Sequence, residues 1–201
     1  MRRYQSWSDW PAAHAALAGR LTPAVVVRLS EAYRFAAEWH GDQVRPGGEP
    51  YVEHLLEALE VLFDSGAGET GPGAVPLVAA LLHDVVEDTP CTIEDVGYRF
   101  GPEVAEQVAW LTRPPAGPAD AEAVRDRYLA RFAEAPTPVL AVKLSDRYSN
   151  VQRLHTHPCL DKQRGYYRET VDRFLSLAAR IPFFQELFTE WAQEYAYLSA
   201  R

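Results

Sequence analysis

The chain has 201 residues and a mass of 22.5 kDa, which suits one domain with at most short additions. Its residues are 47% hydrophobic and 24% charged, a balance that excludes disordered and fibrous chains. The net charge of −8 argues against a protein that holds nucleic acid by its phosphates, and the longest apolar run, Val75–Leu82, is too short to span a membrane.

The first 23 residues show little periodicity, although Trp7 and Trp10 indicate that this stretch packs against the rest of the chain. Its basic residues precede no apolar region, so the stretch does not resemble a secretion signal and we expect a cytoplasmic protein. We predict a single domain over residues 1–201, with residues 1–23 as an appendage packed on it.

Apolar residues then recur every three or four positions, which predicts helices through most of the chain. Glycine and proline predict loops at Gly41–Pro50, Ser65–Pro72 and Pro114–Ala119, and Thr92 with Asp95 predicts a capped helix start. No segment alternates as a β-strand does, so the predicted fold class is all-α, a compact bundle of roughly seven to ten helices. Helices are predicted at Val27–His40, Tyr51–Phe63, Leu77–Val86, Ala121–Glu134, Pro138–Leu154, Leu160–Arg180 and Pro182–Leu198.

Four polar residues close the most apolar of these helices: His83, Asp84, Glu87 and Asp88. Residues four apart share a helix face, which pairs His83 with Glu87 and Asp84 with Asp88. Burial of such groups without partners costs several kcal/mol, and a bound metal ion would satisfy them. The alternative is a helix end whose acids are simply exposed to solvent.

Two further residues favour the metal. His54 lies just inside the helix that follows a glycine-rich loop, and Asp146 lies in an otherwise apolar helix. Together with His83 and Asp84 they supply two imidazoles and two carboxylates from three helices. A mixed nitrogen and oxygen set of this kind suits Mn²⁺ or Fe²⁺ and also accepts Zn²⁺.

Four stretches, in this order along the chain, carry a resemblance to a known family. They are Arg45–His54, Ala80–Thr89, Phe100–Val104 and Val142–Asn150. Their His…His-Asp…Asp pattern and its surroundings resemble the hydrolase domain of RelA/SpoT proteins, which are HD-domain metallophosphohydrolases. Those enzymes remove the 3′-pyrophosphate of (p)ppGpp to give GDP or GTP and pyrophosphate. The resemblance covers about residues 28–180 and implies a stand-alone small alarmone hydrolase with an HD-type fold.

The resemblance also implies roles for individual residues. Glu87 and Asp88 match the acidic pair that positions or activates the attacking water, and Arg45 and Asn150 match residues that contact the nucleotide. The implied cofactor is one divalent metal ion, Mn²⁺ in the first place, which would polarise the phosphoryl group and lower the pKa of water. The implied metal ligands are His54, His83, Asp84 and Asp146.

Other residues are weaker candidates for the substrate site. Lys143, Arg147 and Arg153 would offset the charge of a polyphosphate, and the alternative for these three is ordinary ion pairing at the surface. Tyr51 is a candidate nucleoside contact, and the alternative for it is core packing. For His40, at the end of the helix before the loop, we expect a capping or packing role.

Two departures from the family's pattern leave the substrate open. Pro46 follows Arg45 where the family often has a basic residue, and Arg153 stands where it often has a small hydroxyl. The expected partner is therefore a nucleotide: ppGpp or pppGpp, or else an adenosine alarmone or a nucleoside monophosphate. A non-catalytic nucleotide-sensing module is the remaining alternative. No nucleic acid or membrane partner is expected, and the oligomeric state, a homodimer included, stays open.

Overall fold

The computed structural model describes residues 1–67 and 74–199, and within these ranges it has twelve α-helical segments and no β-strand. Two segments are single turns of four residues, so ten longer helices remain in the described ranges. The predicted all-α bundle is confirmed. The segments are α1 Trp10–Ala18, α2 Pro23–His40, α3 Tyr51–Asp64, α4 Val75–Leu82, α5 Val85–Asp88, α6 Ile93–Phe100, α7 Pro102–Leu111, α8 Ala121–Ala130, α9 Thr137–Val151, α10 Leu160–Glu169, α11 Leu175–Ala178 and α12 Pro182–Glu194.

The core is built around α4, which packs against α2, α3, α7 and α9. Every side chain from Leu77 to Leu82 is fully buried, which explains why this helix is apolar all round. The most extensive packing between two helices of the described ranges is that of α3 against α9. Because α3, α4 and α9 each carry predicted metal ligands, this central packing brings those ligands together.

Several predicted helix boundaries were wrong. Helix α2 begins four residues before Val27, because Pro23 is tolerated in the first turn. The helix predicted over Leu77–Val86 stops at Leu82 and restarts at Val85.

The later helices also end or change earlier than predicted. Helices α8 and α9 end at Ala130 and Val151, each close to a short 3₁₀ turn. The helix predicted over Leu160–Arg180 is divided into α10 and α11 by a π-helical stretch at Thr170–Phe174. Thr92 and Asp95 form the predicted capping box. The loop predicted over Ser65–Pro72 lies outside the described residues from position 68 onward.

The N-terminal stretch contains α1, which the sequence pattern did not reveal. Tyr4 and Trp7 are both buried. The backbone N–H of Tyr4 donates to the side-chain oxygen of Gln152 at 2.7 Å, and the Gln152 amide donates back to the Tyr4 carbonyl at 3.0 Å. These contacts attach the stretch to the end of α9, while the assignment of a single domain with an appendage over residues 1–23 stays a prediction.

No helix within residues 1–67 and 74–199 is both long enough and apolar enough to cross a bilayer. Both cysteines are free thiols, with Cys91 buried and Cys159 exposed.

Candidate metal centre

The four predicted metal ligands lie together where α3, α4 and α9 meet. One ligand atom from each of His54, His83, Asp84 and Asp146 falls within 4.8 Å of the other three. The two Nε2 atoms are 3.1 Å apart, and the distances from them to the carboxylate oxygens are 3.1–3.6 Å. Ligands at about 2.0–2.2 Å from a common ion are separated by roughly 3.0–3.5 Å, so these spacings fit a single ion.

The break between α4 and α5 places His83 and Asp84. The His83 Nδ1 atom donates to the carbonyl of Ala80 at 2.7 Å, so the imidazole caps the end of its own helix. At Asp84 the backbone has φ −104° and ψ −5°, and this residue precedes the single turn of α5. The pairing of His83 with Glu87 on one continuous helix face was therefore wrong, because the helix is interrupted between them.

Neighbouring elements supply the other two predicted ligands. His54 lies in the first turn of α3, directly after the loop that carries Arg45. Asp146 lies in the middle of α9 and is held on both sides along that helix: Lys143 donates to Oδ2 at 2.8 Å, and Asn150 donates to Oδ1 at 2.7 Å. Asp146 is only 6% exposed, so its orientation is fixed by these partners.

The donor set fits a divalent cation. Each imidazole uses Nδ1 in a hydrogen bond to the protein, His83 to Ala80 and His54 to the hydroxyl of Ser149 at 2.8 Å, which leaves Nε2 directed at the cluster. Two nitrogens that face each other beside one buried and one partly buried carboxylate favour a positive charge between them. A metal ion supplies that charge, and imidazoles oriented through the other ring nitrogen are typical of metal ligands.

The electrostatics of the cluster agree with this. Burial by itself would lower the pKa of His83, but the Asp84 and Asp146 carboxylates raise it well above its ordinary value. Burial would raise the pKa of Asp84, but His83 and His54 hold it well below its usual range. The Asp146 pKa is likewise depressed against its burial, with Lys143 as the largest opposing influence. The cluster therefore favours ionised carboxylates around a positive centre.

The two predicted catalytic acids lie beside the cluster with different partners. Glu87 accepts hydrogen bonds from the backbone N–H of Arg113 at 3.0 Å and from its Nη2 at 2.7 Å. Burial raises the pKa of Glu87, and the Arg113 contacts oppose that rise. The hydroxyl of Tyr51 lies 2.6 Å from Asp84 Oδ2 and 2.8 Å from Asp88 Oδ2, so it links Asp88 to a predicted ligand.

Tyr51 packs within the protein, while its role as a nucleoside contact stays a prediction. Its ring stacks on His40 with centroids 4.5 Å apart, while its hydroxyl faces Asp84 and Asp88. His40 is buried at the end of α2, where its Nδ1 contacts the side-chain oxygen of Gln43 at 2.7 Å. The packing role expected for His40 matches this position.

The predicted substrate cations are all paired within the protein. Arg45 bonds to Glu57 at 3.2 Å and to Asn150 at 3.3 Å, and Arg153 bonds to Glu57 at 2.5 Å. Lys143 bonds to Asp146, as described above. Arg147 is 7% exposed, and its guanidinium bonds to Glu169, Thr170 and the Tyr166 carbonyl. It is therefore ion-paired as the alternative expected, but in the interior and not at the surface.

Three functional neighbours were missed at the sequence level: Glu57, Ser149 and Arg113. Glu57 had a readable signal, because it is an acid one turn after His54 on the apolar face of α3. Ser149 and Arg113 carried no such signal in the sequence. Ser149 contacts His54, 95 positions away, and Arg113 contacts Glu87, 26 positions away.

A groove runs across the cluster. A cavity of about 240 Å³ is lined by Asp84, Asp146 and Glu87. It shares Asn150 with a cavity of about 180 Å³ beside Arg45 and Arg153, and shares Arg113 with one of about 790 Å³ on the other side. An extended ligand could therefore lie along the groove with its centre at the cluster.

Comparison with known proteins decides the family. The sequence model of the HD domain matches residues 32–184, which is most of the chain. The chain belongs to the HD-domain family. The HD domain implies a divalent metal, and the cluster described above is a group of side chains that could hold one.

Individual relatives show which members of the HD-domain family this chain resembles. The chain is 34% identical over 172 residues to the guanosine-3′,5′-bis(diphosphate) 3′-pyrophosphohydrolase of Aquifex aeolicus, covering 84% of this chain and 24% of the relative. It is 35% identical over 164 residues to the bifunctional (p)ppGpp synthase/hydrolase SpoT of Escherichia coli, covering 78% and 22%. The chain thus spans about a quarter of the length of these relatives. The resemblance to the hydrolase domain of RelA/SpoT proteins is confirmed.

A solved structure agrees on the fold. It comes from work on a metazoan ortholog of SpoT that hydrolyzes ppGpp, and its TM-score is 0.75 at 24% identity. The match covers 87% of this chain and 97% of the other. The HD-type helical bundle is therefore the fold of this chain.

Proposed function

We propose that the chain is a metal-dependent phosphohydrolase that removes the 3′-pyrophosphate of ppGpp and pppGpp, releasing GDP or GTP and pyrophosphate. The observation that carries this proposal is the convergence of two imidazoles and two carboxylates on one point in the groove. The relatives named above act on the same compound, according to their names.

The proposed cofactor is one Mn²⁺ ion held by His54, His83, Asp84 and Asp146. When bound, such an ion polarises the phosphoryl group and lowers the pKa of water. Two imidazoles and two carboxylates suit Mn²⁺ or Fe²⁺ and also accept Zn²⁺, which are the alternatives for this site.

The remaining roles belong to the chain's own side chains. Glu87 orients the attacking water and accepts its proton, which requires the carboxylate form of a group whose pKa burial raises. Asp88, held by the hydroxyl of Tyr51, orients the same water. The oxygen of the water bonds to phosphorus while the bond from phosphorus to the 3′ oxygen breaks. The 3′ oxygen leaves with the electron pair of that bond and takes up a proton to become the 3′-hydroxyl of GDP or GTP, and the other product is pyrophosphate.

The substrate side is proposed to be the 180 Å³ cavity next to the cluster. Arg45 lines it on the loop before α3, and Asn150 lines it one turn after Asp146. A guanidinium is suited to phosphate because its N–H groups form a fixed fork. Tyr51 and Arg153 line the same cavity, whereas Lys143 and Arg147 line the cavity over the cluster.

We further propose that the protein acts in the cytoplasm, which its two free cysteines favour, as one hydrolase domain over residues 1–201. Of the C-terminal aromatic residues, Phe184, Phe188 and Tyr195 are buried in the core. Tyr197 is 58% exposed and stays available to a partner copy.

The test is an assay of the purified protein with Mn²⁺ and ppGpp, in which GDP and pyrophosphate are followed by anion-exchange chromatography. We expect equal amounts of both products. The Asp84→Ala variant is the matched control, and it should lose metal binding and turnover together. If the folded, metal-loaded parent released no pyrophosphate, the guanosine assignment would be wrong. Adenosine alarmones and nucleoside monophosphates would then be tried, and inactivity with all of them would favour a sensing module.

A further inference from the structure

A buried carboxylate lies beside the metal centre without belonging to it. Glu57 is on α3, one turn after His54, and is only 4% exposed. A carboxylate at that depth is costly unless hydrogen bonds or opposite charges compensate it. Both of its oxygens accept hydrogen bonds. One partner also contacts the metal cluster, and the other partners lie on the proposed substrate side.

The first set leads to a metal ligand. Ser149 Oγ lies 2.7 Å from Glu57 Oε2 and 2.8 Å from His54 Nδ1. An ionised carboxylate can only accept, so the hydroxyl donates to Glu57 and must accept from His54. The proton of the neutral imidazole is thereby held on Nδ1, and the lone pair of Nε2 faces the cluster. Glu57 thus acts on His54 through Ser149.

The second set leads to the substrate side. Arg153 donates to Glu57 Oε1 at 2.5 Å, and Arg45 donates to Glu57 Oε2 at 3.2 Å. The other Arg45 nitrogen, Nη2, donates to Asn150 Oδ1 at 3.3 Å, and Asn150 in turn donates to Asp146. Both guanidinium groups line the cavity proposed for the nucleotide.

We propose that Glu57 is a positioning residue that couples the metal ligand His54 to the guanidinium groups of the substrate side. One carboxylate sets the tautomer of a ligand and the position of two cations, so metal affinity and nucleotide affinity both depend on it. The nucleotide half of this proposal rests on the proposed function, whereas the metal half does not.

The metal half is tested with Mn²⁺ alone, by calorimetric titration of the metal-free protein. Glu57→Gln keeps the size of the side chain, but its amide can donate to Ser149 and so reverse the hydroxyl and the His54 tautomer. Ser149→Ala removes the same link at the next atom. Loss of such an outer partner lowers metal affinity by about 10–100-fold, and we expect at least about tenfold for each variant.

The matched control is Glu60→Gln, on the next turn of the same helix. Glu60 accepts hydrogen bonds from the backbone N–H groups of Ser6 and Trp7 and contacts no predicted ligand. The Mn²⁺ affinity of the Glu60→Gln variant should stay within about twofold of that of the parent protein. The double variant of Glu57 and Ser149 should lose about as much affinity as Glu57→Gln alone, because both changes break one chain of contacts.

The nucleotide half is tested by kinetics at saturating Mn²⁺. Ser149→Ala leaves both guanidinium contacts intact, so its KM for ppGpp should match the parent. Glu57→Gln should raise KM by about tenfold, because an amide nitrogen facing Ser149 cannot accept from Arg45, and Arg153 keeps only a neutral oxygen as its acceptor. Unchanged Mn²⁺ affinity in both single variants would overturn the proposal, even if ppGpp is not the substrate. Equal KM in Glu57→Gln and the parent would overturn its nucleotide half.

Discussion

Replacement of Glu87 by glutamine should separate turnover from metal binding and from stability. The Glu87 carboxylate is outside the ligand cluster, and both of its oxygens accept hydrogen bonds from Arg113, at 3.0 and 2.7 Å. Glutamine keeps the size of the side chain but removes the charge and the ability to take a proton from water. If Glu87 has the proposed role, the chemical step should suffer most.

The expected magnitudes differ enough to be told apart. Loss of a positioned general base slows turnover by about 10²–10⁴-fold, and the lower limit corresponds to about 2.7 kcal/mol in the barrier. The loss in stability should be at most about 1 kcal/mol, because the Arg113 side chain is 44% exposed and such ion pairs are screened by water. Metal affinity should not change, since the four clustered ligand atoms remain.

Three measurements follow on the same preparation: ppGpp turnover at saturating Mn²⁺, calorimetric Mn²⁺ titration, and urea unfolding. Glu106→Gln is the control, because Glu106 is an exposed glutamate on α7, the helix that leads to Arg113. The control should match the parent in all three. If Glu87→Gln kept more than about a tenth of the parent's kcat, the role given to this carboxylate would be refuted.

Two further outcomes concern the scaffold and its thiols. Trp191→Phe should lower the free energy of unfolding by about 2–4 kcal/mol in urea, because it empties part of a fully buried site and leaves the Val151 carbonyl at the end of α9 without its indole donor. The same change at Trp39, 36% exposed, should cost less than about 1 kcal/mol, and equal losses would contradict the argument. A thiol reagent at pH 8 should modify Cys159 in the folded protein. Cys91, whose pKa burial and the nearby Asp95 raise to about 11, should react only after unfolding; fast reaction of both thiols would contradict its burial.

The candidate metal ligands could be picked out from the sequence because each one interrupts a strong local pattern. His54, His83 and Asp146 are buried polar residues that stand next to runs of buried apolar residues, and such a residue needs a partner. The all-α class was readable for the same reason, since periodicity is a local property of the sequence.

What could not be predicted depends on contacts between distant residues. The break after Leu82 comes from the His83 ring, which takes the Ala80 carbonyl that would otherwise continue the helix. Periodicity continues through that point and gives no warning of it. The link from Glu57 to Ser149 spans 92 positions, and no spacing rule connects two residues so far apart.

The pairing of the cations changes how an anionic substrate must be bound. Lys143, Arg147 and Arg153 all have carboxylate partners, and their side chains are 15%, 8% and 22% exposed. With a net charge of −8, the chain offers a polyphosphate little long-range attraction. A phosphate that contacts one of these cations must therefore share it with a carboxylate already in place. Such sharing depends on where each guanidinium is held, so the carboxylates that hold the cations contribute to recognition as much as the cations themselves.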